Sequence, residues 1–293
     1  MGCPDLLPAL RAPAAADVAV TTAAYAGGAA AHSAAAAERL FPANGELVSL
    51  DTFEEVVGAV VSGHVAYGVL PIENSLAGPV AETHDLLYEA PLSIGAETSI
   101  PIRHHLVARK PLAEGEVRVV RSHPVALEQC RGLLRRLKGV KAISAATTAD
   151  AAAQVAASAA PGEAAIASER AAALYELSVI AHDVGDHPEA FTRFVSVATH
   201  TRIDGGHQAW RTAFSFVTDH RAGALHGAIE PFVRHGIDLV QLVSRPIPHS
   251  PWTYRFDAVL AGHPLDDVTR RALREVRARV RRLRVFGSYP AAA

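Results

Sequence analysis

Val65-Ala66-Tyr67-Gly68-Val69-Leu70-Pro71-Ile72-Glu73-Asn74-Ser75-Leu76-Ala77-Gly78 is the stretch from which the fold can be worked outward. Its first six residues are a short apolar run without strict alternation, as a strand covered on both faces of an α/β sheet requires. Pro71 ends the run, and Glu73, Asn74 and Ser75 form a polar turn ahead of Thr83-His84-Asp85-Leu86-Leu87. Ligands of α/β proteins sit in the crevice beyond the carboxyl ends of parallel strands, so this turn is a candidate site. An ordinary turn, with Asn74 or Ser75 merely capping a helix, accounts for the same residues equally well.

On the N-terminal side, Thr52 with Glu55 three residues on is a capping box opening a helix. Ser33 is the expected N-cap of another helix running to Leu40, preceded by a strand at 17–20 and a turn near Tyr25. On the C-terminal side a strand is expected over 116–120, a helix over 124–137, a strand over 141–143, an alanine-rich helix capped by Thr148, and a strand over 164–167. Alternating strands and helices with short connectors predict α/β architecture with mostly parallel sheets, more than one of them. Residues 1–17 carry no periodicity and read as a loose tail, and 201–210, with Gly205-Gly206, reads as a linker.

After the linker the pattern changes to βαββαβ: strands over 212–218, 237–244, 252–261 and 283–286, and helices over 222–235 and 266–281. That order is ferredoxin-like, and Gly236 stands where a helix C-cap needs a left-handed residue. The arginines between Arg270 and Arg284 do not make a nucleic-acid stripe. Leu273, Val276, Val280 and Leu283 recur at helical spacing and leave the arginines on a solvated face.

The chain has 293 residues, enough for two domains, and its net charge of −2 argues against nucleic-acid binding. No apolar run approaches a membrane span, and the start of the chain has neither a secretory pattern nor, with Leu6 in place of Ser or Thr, a myristoylation signal. The two cysteines, Cys3 and Cys130, suit a reducing cytoplasm, and the 15 histidines show no metal-ligand spacing.

The 68–78 stretch and the following T-x-D-L-L pattern resemble the prephenate dehydratase family, and further stretches are similar in the same order. These are Ser122-His123-Pro124 with Gln129-Cys130, Asp186 with Thr192-Arg193-Phe194, Gly223-Ala224-Leu225, Ser244-Arg245-Pro246 and Gly287-Ser288-Tyr289-Pro290. The resemblance implies a two-lobed, periplasmic-binding-protein-like catalytic domain over 18–200 and an ACT domain over 211–290. It implies conversion of prephenate to phenylpyruvate in phenylalanine biosynthesis, with loss of carbon dioxide and water and without cofactor or metal. Arg193 would face the dianion, Thr192 would hold the departing hydroxyl, and Phe194 would supply an apolar wall. Glu73, His123 or water would stand behind Thr192 as proton source, and the choice among them is open. Ser33, Asn74, Ser75, Thr83 and Ser122 would bind substrate. Gly223, Ala224, Leu225, Ser244, Arg245 and Pro246 would bind an effector, phenylalanine, between paired ACT domains of a homodimer or homotetramer.

Several positions depart from the family pattern. Ala30 and His32 replace a glycine and an aromatic residue before Ser33. Val125 replaces a glutamine, Ala190 an asparagine and Val243 the glutamate before Ser244. These departures leave two further readings: a dehydratase of arogenate or another prephenate relative, and a non-catalytic sensor that keeps the fold.

Overall fold

The computed structural model describes residues 21–42, 45–200, 209–247, 250 and 252–292. The expected tail at 1–17, the strand at 17–20 and most of the linker lie outside the described residues. The first described strand is β1 (Thr22–Ala26), followed by α1 (His32–Leu40), β2 (Glu46–Leu50), α2 (Phe53–Val61), β3 (Tyr67–Asn74), β4 (Gly78–Pro79), α3 (Ala81–Glu89) and β5 (Ser93–Pro101). The chain then builds a second lobe from β6 (His105–Ala108), β7 (Val119–Ser122), α4 (Pro124–Gln129), α5 (Arg131–Arg136), β8 (Lys141–Ser144), α6 (Thr148–Ala157), β9 (Glu163–Ala167), α7 (Glu169–Leu174) and β10 (Ser178–Ala181). It returns to the first lobe as β11 (Phe191–Ala198), which enters between β3 and β5. Two crossings between two sheets make this the two-lobed arrangement expected of the catalytic part.

The sheets are mixed rather than mostly parallel. β1 runs parallel to β2 and β3, and β7 parallel to β8 and β9, each through helical crossovers. The strands beside the crossings, β5, β6, β10 and β11, pair antiparallel, because the chain leaves the first sheet along β5 and re-enters it along β11 in the opposite direction. Thr52 forms the expected capping box with Glu55. Ser33 is not an N-cap: Ala31 holds that place without a side-chain bond, and Ser33 lies buried in the first turn. The cap of α6 is Thr147, one residue before the expected Thr148. The helix expected over 124–137 breaks at Cys130, and Asp186 accepts from the Gly132 N–H at 2.9 Å, satisfying a donor at the start of α5.

The C-terminal domain contains β12 (Trp210–Val217), α8 (Ala224–Arg234), β13 (Leu239–Pro246), β14 (Tyr254–Ala261), α9 (Asp267–Arg279) and β15 (Arg282–Pro290). Its antiparallel sheet has the order β13-β14-β12-β15, the ferredoxin-like topology that βαββαβ predicts. Gly236 has φ +64, as the αL position closing α8 demands. One face of the sheet packs on the two helices through Phe214, Phe232, Leu273 and Val276. The other face lies on the first lobe, where Ala213, Val259, Phe286 and Tyr289 share one buried cluster with Leu87, Ile94 and Val195. Among the described residues no helix is long and apolar enough to cross a membrane.

Candidate active site

β3 does not stop at Pro71 as expected but runs on to Asn74, so Glu73 and Asn74 are strand residues and only Ser75 begins the turn, and β11 begins beside them. Their register pairs Thr192 with Asn74 and Arg193 with Glu73. Asn74 Oδ1 accepts from the backbone N–H groups of Leu76 and Ala77 at 3.0 and 2.9 Å, which fixes the amide plane. Its Nδ2 therefore points across the strands and donates to Thr192 Oγ1 at 3.0 Å. Because Thr192 accepts this bond, its own O–H proton is left to be given to a third group. Ser75 closes the corner: its Oγ accepts from the Phe191 N–H at 2.9 Å, and its own N–H donates to Phe191 O.

Arg193 alternates to the other face of β11, the face that carries Val195 and Val197 toward the C-terminal domain. Its Nη1 lies 3.1 Å from Glu73 Oε2, and its Nε lies 4.0 Å from Glu97 Oε2. The guanidinium expected to be free for a dianion thus already has two carboxylates beside it. Phe194 is only 2 % exposed and packs with Tyr25, Ala34, Ile100 and Ala190, so it is core rather than cleft wall. Ser122 is fully buried and donates to Ile166 O at 2.6 Å, tying β7 to β9. His123 caps α4, its Nδ1 accepting from the Val125 N–H. Thr83 is fully buried on α3, and its Oγ1 has no hydrogen-bond partner.

A cavity of about 390 Å³ opens between the lobes. Ser33 lines it, beside His32, and so do Thr52 and Phe53 at the start of α2 and Thr147 to Ala149 at the start of α6. Helix N-termini from both lobes therefore converge on this space, an arrangement that favours a carboxylate. The lining also carries three acids, Asp51, Glu54 and Glu82, beside Ala26, Gly27 and Ala31, and it includes no Lys or Arg. Burial, and after it the neighbouring Glu54 carboxylate, raises the Glu82 carboxyl above its ordinary value. Burial, then the proximity of His104, lowers the His32 imidazole to about 4, so it is neutral near pH 7. Arg170 on α7 spans the lobes, donating to both Glu38 carboxylate oxygens at 2.7 Å and to Ala29 O at 2.7 Å.

The residues expected to hold an effector are divided. Gly223, with φ +78, is the N-cap of α8, and Ala224 and Leu225 line a cavity of about 460 Å³ together with Asp219, Trp252 and Tyr254. Arg245 is instead turned toward the first lobe, where its Nη2 donates to Asp85 Oδ2 at 2.6 Å. Ser244 and Pro246 lie exposed on β13, at the edge of the sheet. Glu97 and Arg211 were not legible in the sequence. Glu97 sits mid-strand between small residues with no motif around it, and only the docking of the C-terminal sheet on β5, through β15, brings Arg211 Nη1 to 2.6 Å from Glu97 Oε1.

Comparison with known proteins agrees with this architecture. The prephenate dehydratase family model matches residues 23–202. The chain is 35% identical over 276 residues to arogenate dehydratase/prephenate dehydratase 2 of Arabidopsis thaliana, covering 91% of this chain and 72% of that protein. The prephenate dehydratase of Arthrobacter aurescens, solved with L-Phe, is similar in structure at a TM-score of 0.84 and 27% identity, over 92% of this chain and 90% of that one. A protein described as a novel type of quorum-quenching acylase, GqqA, is similar at a TM-score of 0.81 and 29% identity, over 92% of this chain and 97% of that one. The matched model covers more than half of the chain, including both strands that meet at Asn74 and Thr192, and the chain belongs to the prephenate dehydratase family.

Proposed function

We propose that the chain carries out the decarboxylating dehydration of prephenate to phenylpyruvate, and that Thr192 gives a hydrogen bond to the departing hydroxyl. The observation that carries this reading is the Asn74–Thr192 bond, made between residues 118 apart and leaving the threonine proton available. In the reaction the bond to the ring carboxylate breaks, carbon dioxide leaves, and its electron pair aromatises the ring. That aromatisation is complete only as the C–O bond at the opposite ring carbon breaks and its pair goes to the oxygen, and the hydroxyl needs one proton to depart as water. A threonine hydroxyl is a weak acid, so Thr192 stabilises the departing oxygen while the proton comes from a neighbouring group or water. The helix ends at the inter-lobe cavity suit a carboxylate, although Asn74 and Thr192 are not among the residues lining that cavity.

One observation favours a second reading, arogenate as substrate. The cavity lining carries Asp51, Glu54 and Glu82 without a cation, which suits the ammonium that arogenate bears in place of the keto group of prephenate. Assay of the purified protein on prephenate and on arogenate tests both readings, with product formation followed directly. Thr192→Ala should lower kcat on the accepted substrate by on the order of 100-fold with little change in KM, since the bond strengthens as the hydroxyl leaves. A variant as active as the parent would remove Thr192 from the reaction, and binding without turnover by the parent would favour the sensor. Phenylalanine is the proposed effector, with weak control expected because Val243 replaces the family's carboxylate and Arg245 is engaged by Asp85.

A further inference from the structure

Glu97 is the most enclosed carboxylate at the junction of the lobe and the C-terminal domain: its side chain is 0% exposed. Its Oε1 is held from the C-terminal domain side, by Arg211 Nη1 at 2.6 Å and by the Ala292 N–H at 2.8 Å. Its Oε2 is buried without a hydrogen bond and has Arg193 Nε 4.0 Å away. A buried carboxylate oxygen left unbonded is costly, so Glu97 attracts Arg193 more strongly than a solvated acid would. Arg193 rests instead on Glu73, 3.1 Å away and a quarter exposed. The guanidinium thus lies between two acceptors, one on β3 and one held by the C-terminal domain.

The backbone at this point is able to respond. Between Arg193 and Phe194 the pairing of β11 with β3 slips by a residue, whereas its pairing with β5 remains regular there. Such a bulge interrupts the ladder to β3 and bends the strand locally, so on that side the corner is held by fewer backbone bonds. Thr192 is the next residue, and its bond to Asn74 depends on the position of this corner.

We propose that Glu97 is a positioning residue for the site, through which the C-terminal domain sets the place of Arg193 and, by way of the bulge, of Thr192. When β12 and the chain end hold Glu97 as observed, Arg193 stays on Glu73 and the Asn74–Thr192 corner is kept. When the C-terminal domain tilts and Arg211 no longer holds Glu97, the carboxylate leaves its place beside Arg193 Nε, the guanidinium loses one of its two acceptors, and the corner loosens. The consequence for turnover rests on the dehydratase reading, but the mechanical link does not.

The test therefore uses two readouts on the full chain: hydrogen exchange of the amides at 190–194, and kcat and KM on whichever of prephenate and arogenate the parent accepts. The variants are Glu97→Gln, Arg211→Met and Arg211→Lys, with Arg136→Ala, a surface pair of the second lobe, as control. Glu97→Gln and Arg211→Met should raise exchange at 190–194 severalfold relative to the control. They should lower kcat by about tenfold with KM nearly unchanged, because misplacement by a fraction of an ångström acts on the reacting geometry. Arg211→Lys, which keeps the charge, should restore most of both. Faster exchange confined to β5, β12 and β15, with 190–194 as in the parent, overturns the proposal, and so does a kcat unchanged in Glu97→Gln. If the parent turns over neither substrate, the dehydratase reading fails while the exchange data still decide the role of Glu97. If Arg211→Met unfolds, Arg211→Lys and Glu97→Gln carry the same comparison.

Discussion

His32 stands at the inter-lobe cavity where the family pattern has an aromatic residue, and burial followed by His104 lowers its imidazole to about 4. The unfolded chain binds this proton near pH 6.5 and the folded chain does not, so the contribution is fully present above about 6.5. It is lost as pH falls from there toward 4, and amounts to no more than ~3 kcal/mol. His104 is lowered in the same direction, mainly by burial, so acid sensitivity is shared. Urea denaturation should show stability level above pH 7 and falling between pH 6.5 and 4.5. His32→Phe should flatten part of that fall, and an unchanged slope would show that His32 is not its source. At another departure, Ala190 is 4 % exposed among Tyr25, Ala34, Ile102 and Phe194. It does not offer a place for an amide toward substrate. Ala190→Asn should lower stability by about 1–3 kcal/mol, read as a reduced urea midpoint, because the amide would be buried without partners.

At the scale of elements, α3 joins the lobe to the C-terminal domain by charge as well as by packing. Asp85, inside the T-x-D-L-L motif, accepts from Arg255 Nη2 and Arg245 Nη2, each at 2.6 Å. Burial raises the Asp85 carboxyl, but those two bonds outweigh it and hold it below its ordinary value. Arg255 is 1 % exposed, also reaches Asp257, and lies 4.4 Å over the Tyr88 ring. Arg255→Leu would leave Asp257, itself 4 % exposed, with only His84 at 3.1 Å. Breaking a buried pair from one side costs about 3 to 5 kcal/mol, so this variant should show a large drop in denaturation midpoint. Arg245→Ala, at a more exposed pair, should cost no more than about 1 kcal/mol. Equal losses would mean that packing of β13 and β14, rather than the buried charge, holds α3.

At the scale of the molecule, the C-terminal domain meets the first lobe nearly backbone against backbone. A Cβ at Gly287, which has φ +154, would fall 2.2 Å from Ile94 O. Neither a rotamer change nor a flexible side chain can relieve a contact with a carbonyl, so β15 would have to withdraw from β5. Gly287→Ala should cost about 2–4 kcal/mol and enlarge the particle in small-angle scattering. A parent-like midpoint and radius would show that β15 can dock without this close approach. The same docking surface carries Glu97, Arg211 and Arg193, so Gly287→Ala should also reduce turnover.

What the sequence by itself determined was local. The buried strand leading to Pro71, which continues to Asn74, the capping box at Thr52, the αL turn at Gly236 and the change to βαββαβ after the linker all depend on neighbours within a turn or a strand. Those signals are periodicity and backbone chemistry, and they were sufficient for two kinds of element order and for a candidate site at the end of β3. Tertiary structure alone decided the antiparallel entry of β11 between β3 and β5, and with it the meeting of Asn74 and Thr192. It also decided that Arg193, beside Thr192 in the motif, faces Glu73 and Glu97 on the opposite side of the strand. The motif order places residues along the chain, but a partner across a sheet is set by strand register and by which face each side chain takes. Neither quantity has a local signature, so Glu97, Arg211 and the Asp85 pairs became visible only when β5, β12 and β14 were brought together.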